Sequence, residues 1–154
     1  MAHVPDLIDF VRGLEILCGH QTLISIENPS LSNILLDMQF DTIYHEHYSY
    51  LSATAVTNIC RLNNLHLSRV EELTIHGGSK RYWLKKASVD DFTDPSVTKT
   101  INFEMENGLF NEERWASYSS KVFSILSDLK NWLDEGKSEG KRIYGYGAAD
   151  KASK

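Results

Sequence analysis

Between Tyr44 and Tyr50 the chain sets His45, Glu46 and His47 among the phenols of Tyr44, Tyr48 and Tyr50. No other window is as dense in groups able to move a proton. Three readings compete for it. In the first, His47 or Glu46 is a general base oriented by the other and by Tyr44; imidazole titrates near neutral pH and a neighbouring carboxylate raises its basicity. In the second, His45 and His47 point the same way from an extended segment and share a metal, with a distant third ligand such as His76. In the third, half-buried aromatics only satisfy their polar tips.

The composition narrows the classes of partner. A chain of 154 residues has room for one ordinary domain or pieces of a pair. Its 16 Lys+Arg against 21 Asp+Glu give a net charge of −5 and a pI near 5.6. Such a balance offers no basic field for nucleic acid or an anionic membrane. Lys80, Arg81, Lys85 and Lys86 form a local basic run that reads as the wet face of a strand. Cys18 and Cys60 lack CxxC spacing and sit in apolar contexts, which predicts buried free thiols and a reducing compartment. With no signal peptide and no apolar run of transmembrane length, the expected location is the cytoplasm.

The elements that must position the dense window follow from periodicity. Val4, Leu7, Ile8, Val11, Leu14 and Cys18 predict an amphipathic helix over 4–18, with Pro5 in its first turn. Residues 21–27 read as a buried, parallel-type strand stopped at Asn28-Pro29, with Glu27 at its carboxyl end, where open α/β sheets bind ligands. A short helix over 30–39 delivers the chain into the window, and Ser52 or Thr54 caps a helix over 53–63. The window is therefore a loop between helices.

Residues 65–73 and 79–87 predict strands of an antiparallel hairpin turned at His76-Gly77-Gly78. Ser88 to Ser96, with three aspartates and Pro95, breaks the pattern and predicts a domain boundary between 1–88 and 97–154. Beyond it come a helix over 97–108 and a long helix capped by Asn111. Its stripe of Trp115, Tyr118, Val122, Ile125, Leu129 and Trp132 implies core or partner-facing surface. Arg142-Ile143-Tyr144 predicts a strand leading into Gly145-Tyr146-Gly147-Ala148. Backbone N–H groups there, with Lys151, can face a phosphate, although Asp150 sets a negative charge beside it.

The order of these motifs carries a resemblance. Phe40 through His47, then Ser49-Tyr50-Leu51-Ser52, His76-Gly77-Gly78-Ser79 with Arg81, and Gly145-Tyr146-Gly147-Ala148-Ala149 with Lys151, resemble the S-adenosylmethionine-dependent sugar-nucleotide C-methyltransferases. Ala2 to Leu7 and Ile26-Glu27-Asn28-Pro29 are similar to the same family.

The resemblance implies an α/β fold. It begins with the C-terminal half of a class I methyltransferase (Rossmann-like) sheet with an antiparallel hairpin, and continues into a helical segment starting a Rossmann-like domain that holds the nucleotide sugar. It implies methylation of a sugar carbon next to a ketone, with His47 the catalytic base, Glu46 the second candidate and Tyr44 hydrogen-bonding the developing oxyanion. His45, His76, Arg81, Gly145, Tyr146, Gly147 and Lys151 become substrate-binding candidates. No metal site and no cofactor-binding residue is assigned, because two separated cysteines cannot form the family's zinc site. A noncatalytic nucleotide-sugar or protein-binding module and a metal-dependent hydrolase are the alternatives.

By the same resemblance the chain starts inside the central domain and ends early in the next. The glycine-rich turn and acidic residue that hold S-adenosylmethionine in such folds then lie upstream of Met1. Exposed apolar surface at the sheet edge makes self-association an expectation. The isolated chain is expected to bind S-adenosylmethionine weakly or not at all; calorimetric titration checks this, and tight binding would contradict the fragment reading.

Overall fold

The computed structural model of the chain describes residues 1–145. Among them the architecture is mixed α/β, with one three-stranded sheet and five α-helices. The chain forms two compact units, Met1–Asn111 and Glu112–Lys154.

Helix α1 spans Leu7–Leu17, and the Asp6 carboxylate accepts from the Asp9 N–H at 2.9 Å, so Pro5 precedes the cap instead of occupying the first turn. Strand β1, Ile24–Pro29, starts later than expected because Gly19 and Thr22 close a turn on each other. Helix α2 spans Leu31–Leu36, capped by Ser30; helix α3 spans Ala53–Leu62, capped by Ser52.

Strands β2, Leu65–Leu73, and β3, Ser79–Lys86, form the expected hairpin, and β3 also pairs with β1 in the order β1-β3-β2. Both pairings are antiparallel, which corrects the parallel-type reading of β1. Helix-then-strand order suggested a parallel neighbour; instead the hairpin brings β3 back between β1 and β2, which run parallel to each other without touching. Pro29 is tolerated because β1 is an edge strand among the described residues.

Alternation along the strands separates two faces. Ile24, Ile26 and Asn28 of β1, Leu84, Tyr82 and Lys80 of β3, and Val70 and Glu72 of β2 share the inner one. Against its apolar portion pack Val11 and Cys18 from the α1 region and Val56 and Cys60 of α3. Tyr82 and Leu84 are completely buried, each contributing roughly 1.5–3 kcal/mol by removal from water. Cys18 and Cys60 are buried and unpaired, and burial pushes the Cys60 thiol up to about 12, so it is inert as a nucleophile at neutral pH. The outer face carries an ion ladder: Arg69 with Glu71, and Arg81 with both Glu71 and Glu27.

The segment over 88–96, expected to separate the domains, is tied to the first unit. The Asp91 carboxylate accepts from the Ser88 N–H at 2.7 Å and pairs with Lys85 at 2.9 Å, and His66 stands 3.8 Å away. Although burial opposes it, these neighbours hold that carboxyl below its ordinary range. The Asp94 N–H donates to the Ser68 carbonyl, and helix α4, Pro95–Glu106, packs on β2 and α3 within the first unit. Aspartates and a proline marked a tethered turn and a helix start, and the division between units falls after Asn111.

Helix α4 also supplies Glu104, whose side chain is wholly buried. Its carboxylate accepts from the Ala53 N–H at 2.6 Å, the Thr54 N–H at 3.2 Å and the Thr54 hydroxyl at 2.9 Å. With Ser52 serving Ala55, the opening N–H groups of α3 are satisfied and a negative charge faces the positive end of the helix.

The second unit contains α5, Glu112–Ser138. Tyr118 is buried on it, whereas Ile125, Leu129 and Trp132 of the expected stripe are exposed. Arg142 to Tyr144 form no strand in the described residues, where no neighbouring strand pairs with them. Tyr146, Gly147 and Lys151 lie outside the described residues. No described helix is long and apolar enough to cross a membrane.

Replacing Glu104 by alanine strands the buried Ala53 N–H and the part-buried Thr54 N–H, and urea unfolding is expected to show a loss of about 3 kcal/mol, with Glu104→Gln intermediate; unchanged stability in the alanine variant would refute this role.

Candidate active site

The window between α2 and α3 folds back on itself through local bonds. A short 3-10 turn at Phe40–Thr42 is followed by a tight turn in which the His47 N–H donates to the Tyr44 carbonyl at 3.0 Å. The Tyr44 N–H donates to the Tyr50 phenol oxygen at 3.2 Å, closing the loop at its far end. Burial raises the Tyr50 phenol further above its ordinary value, so it keeps its proton at neutral pH.

His47 is the centre of the arrangement. Its ring lies 4.3 Å from that of Tyr44 and 5.8 Å from that of Tyr50, centroid to centroid. Its Nδ1 stands 2.9 Å from the Thr42 carbonyl oxygen. A carbonyl can only accept, so Nδ1 carries the proton and in the neutral ring Nε2 carries the lone pair.

A fourth ring completes the cluster. His3 stacks at 4.9 Å from His47, tilted by 55°. Its segment is held at both sides: the Ala2 N–H donates to Asn28 Oδ1 at 3.1 Å, and the Ala2 carbonyl accepts from Tyr48 at 2.7 Å and Ser49 at 3.4 Å. Nothing in its own neighbourhood marked His3 as functional; the signal was only that Ala2-His3-Val4-Pro5 belonged to the resemblance. His3 is exposed, while Tyr44, His47 and Tyr50 are half-buried, so a ligand can reach the rings.

The other candidates are distributed differently. His45 and Glu46 pair with each other at 3.6 Å on the exposed rim, more than half exposed. Arg81 projects to the outer face, paired with Glu27 and Glu71, and so Glu27 is engaged in that ladder. His76 is exposed, with φ of 52°, in the hairpin turn. The turn is clasped from the window's approach: Gln39 donates to the Gly77 carbonyl at 2.6 Å, and Asn33 to the same oxygen at 3.4 Å. Gly145 is exposed and lies in no regular element. Among the described residues no group of three or more His, Cys, Asp or Glu is placed to hold a metal ion.

A family model of the C-methyltransferase C-terminal domain matches residues 74–154. The chain belongs to that family. It is also 28% identical over 152 residues to the C-methyltransferase NovU of Streptomyces niveus, an alignment covering 99% of this chain and 36% of the relative. The chain thus spans about a third of that relative's length. The family match begins after the ring cluster, at Thr74, whereas the likeness to NovU covers nearly the whole chain.

At about pH 8, above the ordinary histidine range, nitrogen NMR is expected to show His47 as the Nδ1–H tautomer; a proton on Nε2 would contradict the Thr42 contact.

Proposed function

We propose that this chain is the substrate-side portion of a C-methyltransferase that alkylates the carbon next to the ketone of a nucleotide-linked keto-deoxysugar. The observation that carries the reading is the 2.9 Å contact of His47 Nδ1 with the Thr42 carbonyl, which leaves Nε2 as the basic nitrogen of a ring surrounded by Tyr44, Tyr50 and His3. The nucleotide-linked sugar comes from the family resemblance.

The family's methyl donor is S-adenosylmethionine, and the described residues do not fit it. The one Gly-Gly turn joins antiparallel strands and is filled by Asn33 and Gln39 side chains, so it cannot receive a nucleoside. The role left to this chain is proton abstraction. The ketone acidifies the neighbouring C–H, the Nε2 lone pair of His47 takes that proton, and the C–H electron pair moves to the carbonyl, giving an enolate. The carbonyl of Thr42 stabilises the resulting imidazolium through the Nδ1 proton. Tyr44 stands beside the base as donor to the enolate oxygen, and Tyr50 remains protonated for the same task. Glu46, bound to His45 at the rim, serves as a second acceptor of the proton.

In this reading β1, β2, β3 and the helices through α4 are the end of a class I methyltransferase sheet. The unit from Glu112 begins the domain that holds the nucleotide sugar; by the resemblance Gly145, Tyr146, Gly147 and Lys151 are assigned to the phosphates and His45 and His76 to the sugar, while Arg81, engaged by Glu27 and Glu71 on the outer face, does not share the side of the ring cluster. The packing of α4 on β2 supports a boundary after Asn111 in this reading. This reading goes with a cytoplasmic location. The metal-hydrolase alternative lacks a ligand set among the described residues.

The test is a chimera in which this chain replaces the matching third of NovU. With His47 intact it should transfer methyl groups to a keto sugar nucleotide; His47→Gln is expected to lower kcat by roughly 10²–10⁴-fold. A loss smaller than about threefold would remove His47 as the base.

A further inference from the structure

Asn28 closes the inner face of β1, and its side chain is 3% exposed. An asparagine so placed must find partners for both an acceptor and a donor. It finds one: its Oδ1 accepts from the Ala2 N–H, while its Nδ2 has no hydrogen-bond partner in the described residues. The orientation of the carboxamide is fixed by chemistry, since a peptide N–H can only donate.

Ala2 is itself buried, and its carbonyl accepts from Tyr48 and Ser49. A single residue therefore bridges the end of an inner-face strand position and the loop that carries His47. The residue directly after that bridge is His3, whose ring lies on His47. Nothing in the local sequence otherwise directs it there: Pro5 restrains only Val4 before it, and α1 begins at Leu7.

We propose that Asn28 is a positioning residue that seats His3 against the base. Its carboxamide oxygen fixes Ala2, Ala2 fixes the Tyr48-Ser49 peptide, and the two imidazoles are brought to a set separation from segments 44 residues apart in sequence. The proposal rests on reading His47 as the base. Its role is in the geometry of the pair, because Asn28 touches neither ring in the contacts described. Lys80, the register partner of Asn28, is likewise buried and pairs with Glu72 at 3.1 Å. Asn28→Asp supplies a conservative variant with the acceptor kept and the amide donor removed, on the same sheet face as the Lys80 ammonium.

The test uses the 154-residue chain without ligand. A nuclear Overhauser cross-peak between the ring protons of His3 and His47 is expected in the unaltered chain and in Asn28→Asp. It is expected to vanish in Asn28→Leu, which keeps the volume but offers no acceptor, while the amide shifts of β2 and β3 stay in place. Where the leucine variant does not fold, Asn28→Ala is read instead. A cross-peak that persists in either apolar variant overturns the proposal, as does its absence from the unaltered chain or from folded Asn28→Asp. An inert His47→Gln substitution in the chimera would sink the base assignment and leave this ring contact intact, so the two failures are distinct.

Discussion

The first unit depends on one buried carboxylate. Glu104 reaches from α4 to the start of α3 and takes up the N–H groups of Ala53 and Thr54 that a helix leaves without partners. Without it, the beginning of α3 would be a desolvated cluster of donors beneath another helix. Its charge is compensated by hydrogen bonds and by the helix terminus, the circumstances in which burying an ion is tolerable. Tyr82, wholly buried nearby in the core, donates to the Leu51 carbonyl just before α3, and burial followed by the Glu104 charge raises its phenol well above its ordinary range. The exit of the histidine-tyrosine loop is thus anchored to both α4 and the central strand.

The loop's entrance and its floor are anchored separately. Gln39 and Asn33 grip the hairpin turn just before the loop begins, and the Met1-to-His3 segment lies against its middle. Between these supports the rings need little packing of their own, and they remain accessible. Under the proposed role a base would have to be held in orientation and still meet its substrate, and the division of labour here suits both demands: bonds to the loop backbone fix Tyr44, His47 and Tyr50, while His3 is exposed.

What could be read from residues alone was what is determined locally. Ser52 caps α3 through a contact three residues away, so the start of α3 carried a visible signature, whereas the caps Ser30 and Asp94 passed for a helix residue and for part of a boundary. Gly77-Gly78 announced the hairpin for the same reason. The pairing of β1 with β3 was not legible, because it is chosen by a strand more than 50 residues later and a short apolar run does not state its neighbour's direction. His3 was hidden similarly: a lone histidine beside Val4-Pro5 has no local chemistry, and its meaning arises only through Asn28 and Tyr48. The aspartates at 90, 91 and 94 looked like a boundary because loops and tethered turns share a composition.

The turn at His76, Gly77 and Gly78 has three successive residues at positive φ, and a Cβ on Gly78 would stand 2.3 Å from the Asn33 amide nitrogen. Such a turn admits one length and one path. If β3 slid by one residue against β2, Lys80 and Tyr82 would go to the outer face while Arg81 and Trp83 entered the core. Because the turn forbids that slide, it acts as the ruler of the sheet. It decides which cations are buried and which stay wet, and it keeps Lys80 opposite Asn28, the residue that holds the segment where the histidines meet.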